Sequence, residues 1–268
     1  MSSKRILYIT QEIFPYLPES NISTTCRHLP QAIQEKGREI RTFMPRFGNI
    51  NERRNQLHEV IRLSGMNLII NDTDHPLIIK VASIQSARMQ VYFIDNDDFF
   101  SRKFTTEDAD GVEFDDNDER SIFYVRGVME TIKKLRWIPD IIHCHGWMTA
   151  LTPLFIKKAY ADDPCFANSK VVYSLYEDEM KKPFGSDFPT KVLFDGIEPE
   201  DVSSLKEETN FVDLTNFAIK YADGVIQSSA NINPQILEYA QKSGKPLLDY
   251  NADFAQWTND INSFYDKF

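Results

Sequence analysis

Apolar residues in this chain occur either in short continuous runs or at every third or fourth position. Residues 4–10, KRILYIT, form a short run rich in branched and aromatic side chains, which predicts a buried strand. A loop with Pro15 and Pro18 follows. Helical spacing then holds from Ser23 to Lys36 and ends at Gly37 as a C-cap, with Pro30 either opening or kinking the helix. REIRTFMP (38–45) returns as a strand, so the opening predicts a right-handed βαβ unit. Between residues 57 and 94 several strand-like runs alternate with polar turns, predicting a strand-rich antiparallel excursion.

Farther on, Ile122, Val125, Met129 and Ile132 mark one face of an amphipathic helix over 119–136. The acidic stretch from Glu107 to Glu119 ahead of it reads as a mobile, solvated loop. DIIHC predicts a strand, with a helix over 148–160 and a strand over 170–175. The same alternation gives a helix near 208–221, a strand in ADGVIQSS, a helix near 233–243, a short apolar run PLLDY and a terminal helix in FAQWTNDINSFYDKF. This order predicts a Rossmann-like, doubly wound, mostly parallel α/β sheet with flanking helices, spanning 1–268 as a single domain with the 57–94 excursion inside it.

Composition narrows the function more than the fold. Apolar residues at 42% and charged residues at 26% are ordinary globular usage. A formal charge of −10 opposes attraction to nucleic acid or anionic membrane, so neither is an expected partner. The first apolar run is too short for a signal peptide or a membrane span, and a cytoplasmic protein is expected. Cys26, Cys144 and Cys165 form no CxxC and read as reduced thiols. No GxGxxG follows the first strand, and no Walker A loop, GxSxG elbow or metal-ligand spacing occurs. The residues therefore assign no cofactor, no metal and no catalytic group.

The informative stretch is DIIHCHGWMTALTPLFIKK (140–158), which runs a strand into a histidine-rich turn and then a helix. That puts polar chemistry at the carboxyl end of a strand, where open α/β sheets bind ligands. His143 and His145 share one face of the extended backbone and Cys144 the other. Either imidazole could donate to a hydroxyl or phosphate, His145 being nearer the helix; the plain alternative is a buried histidine satisfied by its neighbours. Trp147 reads as core. Asp95, Asp97 and Asp98 read as capping or solvated acids. A cleft combining His145, Arg46, Asp116 and Asn117 would suit a carbohydrate, with Gly146 letting the backbone turn closely against a sugar. An anion at the first helix N-terminus is disfavoured by Glu19 and by the lack of a lysine or paired glycine.

From its start to about residue 240 the chain resembles the amino-terminal catalytic domain of glycogen and starch synthases. The resemblance rests on KRILYITQEIFPY, HLPQAIQEKGREIRTFMPRFGNI, VYFIDNDDFFSR, DDNDERSIFYVRGVMET, PDIIHCHGWMTALTPLFIK and FAIKYADGVIQSSANINPQIL, in family order. It implies transfer of glucose, with retention, from a nucleotide sugar such as ADP-glucose or UDP-glucose to an α-1,4-glucan, at a site between two Rossmann-like domains. His145 looks like the histidine near the donor glucose, and Asp116 with Asn117 like the polar pair lining the sugar pocket. Arg46 and Gly48 match the segment near the acceptor cleft. An α-glucan or oligosaccharide and a completing carboxyl-terminal transferase subunit are the implied partners.

Three ligand-facing segments depart from the family pattern. Residues 18–22 read PESNI where a lysine-x-glycine-glycine-leucine loop approaches the donor phosphates. Gly146 stands for an aspartate, and SLYED (174–178) replaces a threonine-isoleucine-histidine-asparagine strand exit. The family's second domain, with its basic pair and essential glutamate, has no room after residue 240. The expectation is a chain that cannot transfer glucose alone; a noncatalytic glucan-binding or regulatory protein is the alternative.

Overall fold

The computed structural model describes residues 3–205 and 207–268. Among these residues ten strands form one sheet system: β1 Arg5–Thr10, β2 Glu39–Pro45, β3 His58–Glu59, β4 Met66–Ile70, β5 Thr73–Ile84, β6 Met89–Asp95, β7 Ile141–His145, β8 Lys170–Leu175, β9 Gly224–Gln227 and β10 Leu247–Leu248. Their order is β10-β9-β8-β7-β1-β2-β6-β5-β3, with β4 paired to β5. Neighbours from β10 to β6 are parallel, and β5 runs antiparallel to β6, β4 and β3. The doubly wound sheet and its antiparallel excursion are thus as the sequence predicts. The β4–β5 hairpin turns at Asn71 and Asp72, both at positive φ, the conformation a tight two-residue turn needs.

Among the described residues nine α-helices accompany the strands: α1 Asn21–Glu35, α2 Glu52–Asn55, α3 Asp97–Phe100, α4 Asn117–Leu135, α5 Thr152–Lys157, α6 Phe188–Val192, α7 Phe211–Tyr221, α8 Pro234–Lys242 and α9 Phe254–Phe264. Strand alternation divides the core into two layers. Ile6 and Tyr8 of β1 pack with Ile141, Leu29, Ile33, Trp257 and Ile261 beneath α1 and α9. Leu7 and Ile9 belong to the larger cluster on the other face, which includes Val125, Val128 and Met129 of α4. Pro30 lies inside α1 without ending it. The helix expected over 148–160 is shorter: a 3-10 turn at Trp147–Thr149 precedes α5, where Pro153 sits in the first turn. Among the described residues no helix is long and apolar enough to cross a membrane.

The chain leaves β1 for β2 on one side and returns at β7 on the other. That reversal puts a topological switch point between β1 and β7, where ligand crevices form in such sheets.

Candidate functional site

The loops leaving β6 and β8 meet beyond the carboxyl ends of the strands between them. Buried Glu113 accepts the backbone N–H groups of Lys181 and Lys182 on one carboxylate oxygen, at 2.9 and 2.6 Å. Lys181 pairs with Glu107 at 2.6 Å, and Lys182 with Asp115. The two lysine pairs are solvated and worth little, whereas the charge-assisted bonds to Glu113 are the firmer tie. The acidic stretch read as a solvated loop is therefore anchored at its centre. Between the two loops lies a cleft of about 530 Å³, walled by the rings of Phe114 and Phe184 and by Asn117, Asp118, Lys182 and Lys191.

Asn117 opens α4 and is held from both ends. Its amide donates to the Thr106 carbonyl at 2.8 Å, and its oxygen accepts from Arg120 Nη1 at 2.6 Å. Arg120, fully buried, also donates to the Phe99 and Thr105 carbonyls at 2.8 Å each and lies 5.6, 5.1 and 5.4 Å from the ring centres of Phe47, Phe100 and Phe114. Burial, then repulsion from Arg102, lowers its pKa to about 9, which leaves it cationic at neutral pH. Asp116 is taken by Arg102 through two hydrogen bonds. Gly48 packs so closely on the Ser101 and Arg102 carbonyls that no Cβ fits there. Arg46 turns to Asp95, 2.9 Å away, which also meets Lys80. The 46–48 segment and the Asp116–Asn117 pair are thus brought together through Arg102 and Arg120.

At the back of the cleft, Lys191 is ringed by Asp118, Glu119 and Asp187 at 2.8, 3.0 and 3.0 Å. Burial opposes its charge, but hydrogen bonds to these carboxylates outweigh that and raise its pKa.

His145 and Gly146 form a second group. His143 and His145 share a face of β7, ring centres 4.0 Å apart, and neither has exposed surface. His143 is bonded on both nitrogens, to Tyr265 Oη and Ser174 Oγ, each at 2.7 Å. His145 Nδ1 meets Tyr176 Oη at 2.7 Å, while its buried Nε2 has no partner. Burial drives both imidazoles toward the neutral form, with His145 at about 3 and His143 well below its ordinary value through burial and the neighbouring His145. Gly146, at φ +91°, presses against Gln11, whose side-chain oxygen receives the Met148 N–H at 3.1 Å. Trp147 is core, as expected, and meets Phe184 edge-on at 6.0 Å. That ring contact is where the histidine group touches the cleft.

The start of α1 is capped by its own residues. Ser20 Oγ accepts the Ser23 N–H at 3.0 Å, Ser23 Oγ accepts the Ser20 N–H at 2.8 Å, and Ser20 donates to Glu12 at 2.6 Å. The site accordingly depends on residues that pattern reading did not single out: Arg120, Arg102, Lys191, Tyr176 and Glu12. Arg120 left one trace, a cation three positions after Asn117 on a helix face. Lys191 acts across the fold and left none, and Tyr176 left only its place in the divergent SLYED segment.

Fold and cleft together define a doubly wound α/β domain with a polar, aromatic-lined crevice beyond the carboxyl ends of its strands. The family model for the starch synthase catalytic domain matches residues 5–248. The glycogen synthase of Chlorobaculum tepidum is 35% identical over 252 residues, covering 94% of this chain and 50% of that protein. That of Pelodictyon phaeoclathratiforme is 31% identical over 264 residues, covering 97% and 53%. The chain belongs to the glycogen and starch synthase family, and spans about half the length of the curated relatives it matches. The catalytic domain of starch synthase IV from Arabidopsis thaliana, solved with ADP and acarbose, superposes with a TM-score of 0.73 at 16% identity, over 92% of this chain and 51% of that one, a likeness of fold.

Proposed function

We propose that this chain works as a single α-glucan-binding domain of the glycogen and starch synthase type, which holds the sugar in the cleft between the β6 and β8 loops and does not transfer glucose by itself. The observation that carries the reading is the cleft's composition. Phe114 and Phe184 bring aromatic rings to its lining, Asn117 and Asp118 bring side chains held by Arg120 and Lys191, and exposed Asp115 and Lys182 bring groups that sugar hydroxyls can meet. Asn117 is preorganised by Arg120, so little ordering cost attends binding.

Two features favour the glucan over a nucleotide-sugar donor. The α1 N-terminus, where this fold can receive a phosphate, has the Ser20 and Ser23 N–H groups taken by each other's hydroxyls, with the Glu12 carboxyl 2.6 Å from the cap. His145 is directed to Tyr176, a residue of the segment that departs from the family pattern, and sits wholly inside the protein. Calorimetric titration with maltoheptaose and with ADP-glucose tests the reading. Maltoheptaose should bind, Phe184→Ala should weaken it about tenfold, and ADP-glucose should give no saturable heat. Tight ADP-glucose binding, or indifference of maltoheptaose to Phe184→Ala, would overturn it.

A further inference from the structure

A second cavity, of about 290 Å³, opens between the first two turns of α1 and the segment that enters α9. Tyr250, Phe254 and Trp257 form its aromatic wall, with ring centres 6.1 Å apart for Tyr250–Trp257 and 6.2 Å for Phe254–Trp257. His28 from α1 meets Phe254 edge-on at 6.3 Å. Tyr250 and Phe254 are 38% and 40% exposed, two of the few large apolar residues this chain leaves in solvent, and both fall at one place. Two such rings side by side on a polar surface need an explanation.

The polar lining is neutral. Asn21 and Asn251 bring amides, Thr24 a hydroxyl, and among the described residues no lysine, arginine, aspartate or glutamate lines the cavity. In a chain of net charge −10 with charged residues at 26%, an uncharged cavity of this size selects against phosphate, carboxylate and ammonium ligands. Burial, then the nearby Arg27, lowers the His28 pKa and keeps that imidazole neutral too. Asn21 reaches the Ser228 carbonyl only at 3.4 Å, a weak bond that a better acceptor could replace. Trp257 lines the same cavity. The residue is 2% exposed, and its indole N–H, a donor and nothing else, has no hydrogen-bond partner. Buried donors are almost always satisfied, so an unsatisfied one in a residue that lines the cavity is unusual.

We infer that this cavity is a docking subsite for one neutral hexose unit of a glucan chain, separate from the Phe114–Phe184 cleft. A hexose ring presents C–H faces to Tyr250 and Phe254. Its hydroxyls both donate and accept, matching the Asn21 and Asn251 amides and the Thr24 hydroxyl. A purine would also stack on the rings, and the experiment separates the two. The inference rests on the reading of the protein as a glucan binder, and extends it from one site to two.

The test is calorimetric titration of the full chain with maltoheptaose and, separately, with adenosine. Three proteins are compared: wild type, Phe184→Ala, and the double variant Tyr250→Ala/Phe254→Ala, whose side chains are exposed enough that its melting temperature should stay near wild type. The expected result is two classes of maltoheptaose site. The double variant loses one class by at least tenfold and keeps the other; Phe184→Ala does the reverse; adenosine gives no heat. If Phe184→Ala abolishes all binding and the double variant matches wild type, this inference fails while the cleft reading stands. If only the double variant loses binding, the inference stands and the cleft reading fails. Adenosine binding that the double variant removes, or no maltoheptaose binding by wild type, overturns the subsite.

Discussion

His145→Gln should flatten the acid side of the stability curve. His145 ordinarily titrates near 6.5, but burial brings it to about 3 in the folded protein. Its folded pKa lies below the unfolded one, so the unfolded chain takes the proton first. The contribution is fully present above about pH 6.5 and is lost as pH falls from there toward 3. Each pH unit inside that window costs about 1.4 kcal/mol, so at pH 5 the wild type should have lost about 2 kcal/mol through this group. His143 is shifted the same way and adds to the loss in both proteins. Glutamine fits the polar site beside Tyr176 without titrating. Urea unfolding at pH 7.5 and 5.0 measures the difference, because losses from carboxylates shared by both proteins cancel in the comparison. Wild type should lose about 2 kcal/mol more than the variant between the two pH values. Equal losses would show that His145 accepts a proton inside the fold, and would refute its description as an enclosed, neutral group.

Other substitutions probe the cleft's supports. Gly48→Ala should cost roughly 1–3 kcal/mol by calorimetric melting, since its Cβ would run into the Ser101 and Arg102 carbonyls and backbone must move. Arg120→Met should destabilise by about 3 kcal/mol or more in urea, because the Phe99 and Thr105 carbonyls and the Asn117 oxygen lose their donor together. Lys191→Met leaves buried Asp118 without its cation, costing about 3 kcal/mol at pH 7 and less at pH 5, where Asp118, its pKa already raised by burial, can neutralise by protonation. Glu113→Gln should speed amide hydrogen exchange at Lys181 and Lys182 without changing exchange in β7.

Local patterning made the framework legible. Short branched runs announced β1, β2, β7 and β8, the 3.6-residue spacing announced α4, and Gly37 marked the end of α1. The 46–48 segment and the Asp116–Asn117 pair lie close to each other in the structure because each adjoins a strand end or a helix start whose position the fold dictates. What stayed hidden was contact between segments distant in sequence. Two histidines spaced for one strand face could be read, but their partners Tyr265, Ser174 and Tyr176 come from α9's far end and from β8 and its exit. Asp95, read as a capping or solvated acid, instead pairs with Arg46 and Lys80 inside the protein. Glu113 looked like one acid among many, and only its placement against the Lys181–Lys182 backbone separates it from the rest.

The proposed function is a domain that holds glucan without turning over a donor. Incorporation of labelled glucose from ADP-glucose and UDP-glucose into glycogen, by the purified chain beside its His145→Ala variant, tests this most directly. The predicted result is no incorporation by either protein from either donor. Incorporation by the wild type that disappears in the variant would establish a working transferase, and would contradict both the self-capped α1 N-terminus and the enclosed His145 as descriptions of an idle donor site.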